Sequence, residues 1–264
     1  MLGDATTTGI ANLSRIETIA EGVTLYLGDC REILPTLDGI KHIISDPPYE
    51  DELHAATDKI RRNDGRVSVL GLNFEGINAS RDEVAAALVK ASNGWLIVFT
   101  LAEGVRAWRD PIQAAGGKWD TTLAWIKPDA SPRFNGQGAA RGFECAVTAW
   151  CGKGYRSWNA GGKRGIYTHC VNVGRQGEHP TEKPLSLMAE IVRDYTQLGE
   201  LICDPFCGSG TTGVAAVKAG RQFIGIERDE KWFDLSRRRI TEALRQPDMF
   251  VQAPKPAKQE AFEL

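Results

Sequence analysis

No stretch of this chain is apolar for the roughly 20 residues that a membrane-spanning helix needs. The start, MLGDATTTGI, lacks the basic-then-apolar pattern of a secretory signal. A soluble intracellular protein without a membrane partner is therefore expected. Cysteine is sparse and unpatterned: Cys30, Cys145, Cys151, Cys170, Cys203 and Cys207 form no CxxC knuckle and no His/Cys zinc spacing. Reduced core or loop thiols are expected, and no metal site. An excess of one charge is missing too, with 32 Lys and Arg against 34 Asp and Glu. No overall field draws such a chain to a polyanion. Distribution is another matter. Residues 131–175 hold Arg133, Arg141, Lys153, Arg156, Lys163, Arg164 and Arg175 against a single acid, Glu144.

What is present reads as an α/β protein. Apolar runs alternate with helical patterns, which is the signature of a mostly parallel sheet with helices on both faces. Seven strands are expected: 23–27 (VTLYL), 42–45 (HIIS), 95–100 (WLIVFT), 121–126 (TTLAWI), 143–150 (FECAVTAW), 201–204 (LICD) and 223–227 (FIGIE). The 121–126 and 143–150 runs follow one another without a helix between them, so they should pair antiparallel at one edge. Helices are expected over 81–91, from a Thr181 cap with Pro184 in the first turn, over 211–220, and after an Asp229 cap. Residues 50–80 mix charges with glycines, and 151–178 are glycine-rich, basic and punctuated by aromatics. The tail 247–264 reads as disordered. One domain over residues 1–246 accommodates the rest, and there is no internal repeat.

Chemistry concentrates at the ends of strands. In LICDPFCGSGTTGVAA (201–216), Gly208, Gly210 and Gly213 fit GxGxxG between a strand and a helix, and Glu227 ends the next strand. Glycines of this kind let backbone approach a nucleotide, and the acid takes ribose hydroxyls. A plain strand-to-helix turn is the bland alternative. A P-loop is excluded, because Thr211 and Thr212 stand where Lys is needed. The unit falls late in the chain, so the binding half of the sheet is permuted to the C-terminal side. A second oddity is DPPY (46–49) after HIIS. The two prolines hold Asp46 and Pro47 extended and remove competing donors. A stiff turn with Tyr49 packed inward is the plainer reading of that stretch alone.

With these motifs in this order the chain resembles the DNA amino-methyltransferases, which transfer a methyl group from S-adenosylmethionine to adenine N6 or cytosine N4. The arrangement is similar to their permuted β group. The resemblance rests on Gly28–Asp29, DPPY, WIKP (125–128), HPTEKP (179–184), DPFCGSGTT (204–212) and FIGIE. It implies a Rossmann-like methyltransferase fold with S-adenosylmethionine as cofactor. By resemblance, Gly208 and Gly210 pass under the cofactor, Glu227 takes the ribose and Asp29 the adenine amine. Phe206 lines the pocket; His179, Thr181 and Lys183 face the methionyl end; Asp46, Asp204 and Thr211 complete the set. Asp46, Pro47, Pro48 and Tyr49 are the catalytic group.

An exocyclic amine is a poor nucleophile, because its lone pair is delocalised into the ring. The Asp46 carboxylate and the Pro47 carbonyl can accept its two hydrogens and favour a pyramidal nitrogen. No covalent intermediate is required, and the rate comes from positioning and preorganised electrostatics. The base must leave the duplex, with Tyr49 offering a stacking face. Double-stranded DNA is the implied partner, contacted by Arg133, Arg141, Lys153, Arg156, Lys163 and Arg164, with Trp158 and Tyr167 available to stack. The 151–178 segment is the expected target-recognition insert. Asp46 leans towards adenine, because cytosine members of the family more often carry Ser there; cytosine-N4 is the alternative. A homodimer, a restriction partner and a cytoplasmic setting in a bacterium or virus-infected cell are compatible with the resemblance. An NAD-dependent oxidoreductase would use the same glycine loop but leaves DPPY unexplained. A non-catalytic DNA-binding subunit would not need every motif residue that is present.

Overall fold

The run WLIVFT is apolar at every position, which suits a strand covered on both faces, and all six of its residues are buried. It lies inside a sheet of nine strands among the residues that a computed structural model describes: 15–48, 77–171 and 182–246. The strands are β1 (Arg15–Ala20), β2 (Val23–Leu27), β3 (His42–Ser45), β4 (Trp95–Thr100), β5 (Lys118–Ile126), β6 (Phe143–Trp150), β7 (Ile166–Thr168), β8 (Leu201–Asp204) and β9 (Gln222–Glu227). Their order is β1-β2-β9-β8-β3-β4-β6-β5-β7.

Seven strands with one antiparallel edge is therefore corrected to nine. β5 and β6 do pair antiparallel, but β7 lies outside them, parallel to β5. At the other edge β1 adds antiparallel to β2. Neither extra strand has a strong sequence signal. β1 alternates Arg15 and Glu17 with half-exposed apolar residues, and β7 has three residues.

Helices cover both faces. On one side lie α1 (Cys30–Ile33), α2 (Arg81–Ala91) and α3 (Val105–Ala114); on the other lie α4 (Leu185–Tyr195), α5 (Thr211–Lys218) and α6 (Glu230–Arg245). Each face has its own core. Ile33, Ile43, Leu88, Trp108 and Ile112 fill the first, and Leu25, Phe99, Met188, Phe223 and Phe233 the second. Burying each such side chain contributes about 1.5–3 kcal/mol. The helix expected from a Thr181 cap begins instead at Leu185, with Pro184 as its N-cap residue; Thr181 lies outside the described residues. Asp229 caps α6 by accepting from the Trp232 N–H, as its position predicts. All six cysteines are free thiols. Among the described residues no helix is long and apolar enough to cross a membrane. The 247–264 tail lies outside the described residues, as does most of 50–80.

β2, β9, β8, β3 and β4 run parallel, so their carboxyl ends share one edge of the sheet. From β8 the chain proceeds outward to β9, and from β3 it proceeds the other way to β4. The crevice between β3 and β8 is thus the topological switch point, where open α/β sheets bind ligands.

Candidate active site

Four neighbouring strands each deliver an acid to this edge. Asp29 follows β2, Glu227 ends β9, Asp204 ends β8 and Asp46 follows β3. Across the switch point Ser45 Oγ donates to Asp204 Oδ1 at 2.6 Å, and the Phe206 N–H donates to the same oxygen at 3.1 Å. Burial nevertheless pushes the Asp204 carboxyl up to about 6. Phe206 is half-buried beside it.

The glycine loop is held by its acid. Glu227 accepts from the Gly208 N–H at 2.7 Å and from the Asp229 N–H at 2.9 Å. Each carboxylate oxygen has a second lone pair for a ligand hydroxyl. Burial raises the Glu227 carboxyl above its usual range. Gly208 has φ +51°, a conformation that side chains rarely adopt. Gly210 also has positive φ, +81°. A Cβ there would lie 2.8 Å from the Ser236 Cβ on α6, so packing requires glycine as well. The Thr211 hydroxyl donates to Glu182 at 3.1 Å, so its side chain braces the loop from within. Asp29 caps α1 through the Arg31 N–H at 2.8 Å and pairs with the Arg31 guanidinium, which holds its carboxyl below the usual range.

At the tip after β3 Asp46 and Pro48 are half-buried and Pro47 is buried. Lys183 Nζ donates to Asp46 Oδ2 at 2.5 Å and lies 3.3 Å from Glu144 Oε2. These two carboxylates keep the buried Lys183 ammonium charged and its pKa raised, despite the opposing effect of burial. Lys183 therefore reaches the site, but through Asp46. Cys207, on the glycine loop, is buried, and burial drives its thiol far above the range of a nucleophile. Tyr49, His179 and Thr181 lie outside the described residues.

Sequence patterns missed two contributors. Glu182 pairs with Arg239 of α6 in a nearly buried ion pair, and Arg239 also donates to the Ser209 carbonyl at 2.8 Å. Glu144 joins Lys183 to Lys127. The only available signal was that Glu144 is the lone acid of a basic stretch.

The basic residues divide by sheet direction. Arg133 and Arg141 lie on the exposed loop after β5, at the carboxyl edge, with Phe134 91% exposed between them. Lys153, Arg156, Lys163 and Arg164 fall between β6 and β7, in a segment that leaves from the opposite edge. There Arg156 pairs with Asp120, and the Ser157 carbonyl accepts from the indole of Trp95, the first residue of β4. Lys163 is bound to Glu190 and Asp194. Tyr167 is buried, its hydroxyl donating to Asp194 at 2.8 Å, and Trp158 packs on Tyr195. Arg133 and Arg141 share an edge with Asp46, whereas Lys153 and Arg156 lie towards the opposite edge. Lys163 and Arg164 precede the pairing of β7 with the carboxyl end of β5, and Tyr167 and Trp158 pack inward.

A permuted Rossmann-like sheet with an Asp-Pro-Pro tip at its switch point defines the methyltransferase class. Residues 40–238 match the DNA methylase family of the N6/N4 type, and the chain belongs to that family. It is 28% identical over 254 residues to the Type II methyltransferase M2.MboI of Moraxella bovis, a match covering 86% of this chain and 90% of that protein. The crystal structure of an M1.HpyAVI–SAM complex superposes with a TM-score of 0.65 at 24% identity, over 82% of this chain and 98% of the other. The cytosine-N4-specific PvuII DNA methyltransferase superposes with a TM-score of 0.62 at 18% identity, over 84% and 91%. Both likenesses concern the fold, which the two structures share.

Proposed function

We propose that the protein transfers a methyl group from S-adenosylmethionine to the N6 amine of an adenine flipped out of double-stranded DNA, at specific sites. One observation carries this reading: the Asp46 tip and the Glu227-held glycine loop stand side by side, on opposite sides of the switch point. A bound nucleoside and a flipped base would each find polar partners of their own there.

The residues present suit the cofactor. Gly208 exposes backbone at positive φ, Glu227 retains acceptor capacity for ribose hydroxyls, and half-buried Phe206 offers an apolar face. When bound, S-adenosylmethionine supplies an electrophilic methyl group on a sulfonium. The chain's own groups do the rest. Asp46 and the Pro47 carbonyl accept the amine hydrogens, which turns the nitrogen lone pair outward. Lys183 fixes Asp46 by donating to Oδ2, and a carboxylate has about four acceptor sites, so an ammonium on Oδ2 does not exhaust it. Tyr49 stacks on the base. Arg133 and Arg141 meet phosphates at the same edge. Asp46 supports adenine over cytosine, and the Type II name of the Moraxella bovis relative supports action at defined sequences.

The test is direct. The purified chain is incubated with methyl-labelled S-adenosylmethionine and total DNA, which is then digested to nucleosides. N6-methyladenine is expected; N4-methylcytosine would reassign the base; unmodified DNA with cofactor bound would overturn the reading. Asp46→Ala should abolish transfer, a loss of at least about a hundredfold, while S-adenosylhomocysteine binding by calorimetry stays within about threefold of wild type.

A further inference from the structure

Asp46 is the last member of a row of four alternating charges. Lys127, just beyond β5, pairs with Glu144 Oε1; Glu144 Oε2 lies 3.3 Å from Lys183 Nζ; and Lys183 Nζ lies 2.5 Å from Asp46 Oδ2. The side chains of Lys127, Glu144 and Lys183 are 14%, 12% and 8% exposed, so the row is built into the protein and not laid on its surface. Aromatic rings line it. Lys127 Nζ stands 4.4 Å from the Trp125 ring centroid and Lys183 Nζ 5.3 Å from that of Phe99. Glu144 opens β6, two strands away from β3 in the sheet. Lys183 links it to Asp46.

We propose that Glu144 is a positioning residue for methyl transfer, which with Lys127 holds a share of the Lys183 charge so that Lys183 steadies Asp46 without taking over its acceptor oxygens. The inference rests on the amine-methyltransferase reading above. Two acids and two lysines, mostly withdrawn from water, balance one another. If Glu144 loses its charge, Lys183 keeps only Asp46 of these two carboxylates, and the ammonium shifts towards it. A carboxylate neutralised in that way is a weaker acceptor for an amine hydrogen, so the nitrogen lone pair is less well exposed. Glu144 is not among the residues assigned to the cofactor, and Lys183 keeps its charge in the variant, so cofactor binding should be spared. A residue that merely filled space would affect kcat, cofactor binding and stability together.

Glu144→Gln should lower kcat by about ten- to a hundredfold, with KM for S-adenosylmethionine within about twofold of wild type. The alkaline limb of the kcat–pH profile should move to lower pH, because Lys183 has lost one of its two carboxylates. Glu144→Asp should recover part of kcat. A kcat within about twofold of wild type, or equal losses in kcat and in S-adenosylhomocysteine affinity, would overturn the proposal. A second readout needs no DNA and no turnover. The Lys183 ammonium is titrated by NMR in lysine-labelled protein, with Lys183→Arg for assignment. Its pKa should fall in Glu144→Gln and rise in Lys127→Gln, which removes a like charge and spares the three inner groups. No movement in either variant would sink the idea. Wild-type protein that binds cofactor but leaves DNA unmodified would instead refute the proposed function, with the titration still reporting on the row of charges.

Discussion

At the scale of single residues, the site holds a carboxyl under strain from its own burial. Asp204 receives hydrogen bonds from Ser45 and the Phe206 N–H, yet desolvation outweighs them, and Asp46 nearby adds to it. A carboxyl raised to about 6 when folded stays protonated after its unfolded counterpart, titrating near 3.9, has ionised. Stability is thus lost as pH rises from about 4 to 6 and stays lower above that window. The shift corresponds to on the order of 3 kcal/mol. Asp204→Asn should therefore raise the urea midpoint at pH 7.5, and the gain should shrink to nothing near pH 4. A gain that persisted unchanged at pH 4 would show that ionisation is not its source.

At the scale of elements, the segment entering α4 clamps the two halves of the site together. Glu182 grips α6 and the glycine loop through Arg239 and Thr211, while the next residue, Lys183, grips the β3 tip through Asp46. Removing one partner of a buried ion pair typically costs about 3–5 kcal/mol. Glu182→Ala should cost about that much in urea denaturation and weaken S-adenosylhomocysteine binding by more than tenfold, since the loop loses its brace. Unchanged affinity would show that the loop is held by Glu227 alone. This division explains what the sequence could and could not disclose. β3, β4, β6 and β8 are contiguous β-branched and aromatic runs, legible one at a time. The helix α3 was hidden by Pro111, which reads as a breaker within an otherwise apolar-faced segment. Asp46, Gly208 and Glu227 stand in motifs whose spacing is local. Glu182 and Glu144 act on residues that are distant in the chain, and no spacing rule reaches those partners.

At the scale of the whole molecule, strand direction decides which cations can meet the substrate. β4 alone, at about 3.3 Å per residue, separates its two ends by roughly 17 Å. Basic residues grouped along the chain are therefore spread along the strand direction, from Lys153 and Arg156 near the amino end of β4 to Arg133 and Arg141 at the carboxyl edge. Replacing Arg133 and Arg141 with Ala should lower the slope of log affinity for duplex DNA against log salt by nearly 2, about 0.9 per phosphate contact. Replacing Lys153 and Arg156, which lie towards the opposite edge, should leave it unchanged. Equal slopes in both double variants would return the DNA surface to the chain's basic segment as a whole.

The order of the sheet has a consequence for the birth of the protein. β2 finds its parallel neighbour only in β9, and β3 meets β8 across 159 positions, as the Ser45–Asp204 bond shows. On the ribosome the DPPY tip emerges early and waits, its strand lacking a partner on one side, until residues 201–227 have followed. Pairings this remote make for slow closure and a nascent chain with open strand edges. They also mean that no partly made copy holds a completed cofactor loop. Action on DNA therefore waits until residues 201–227 have been made and paired.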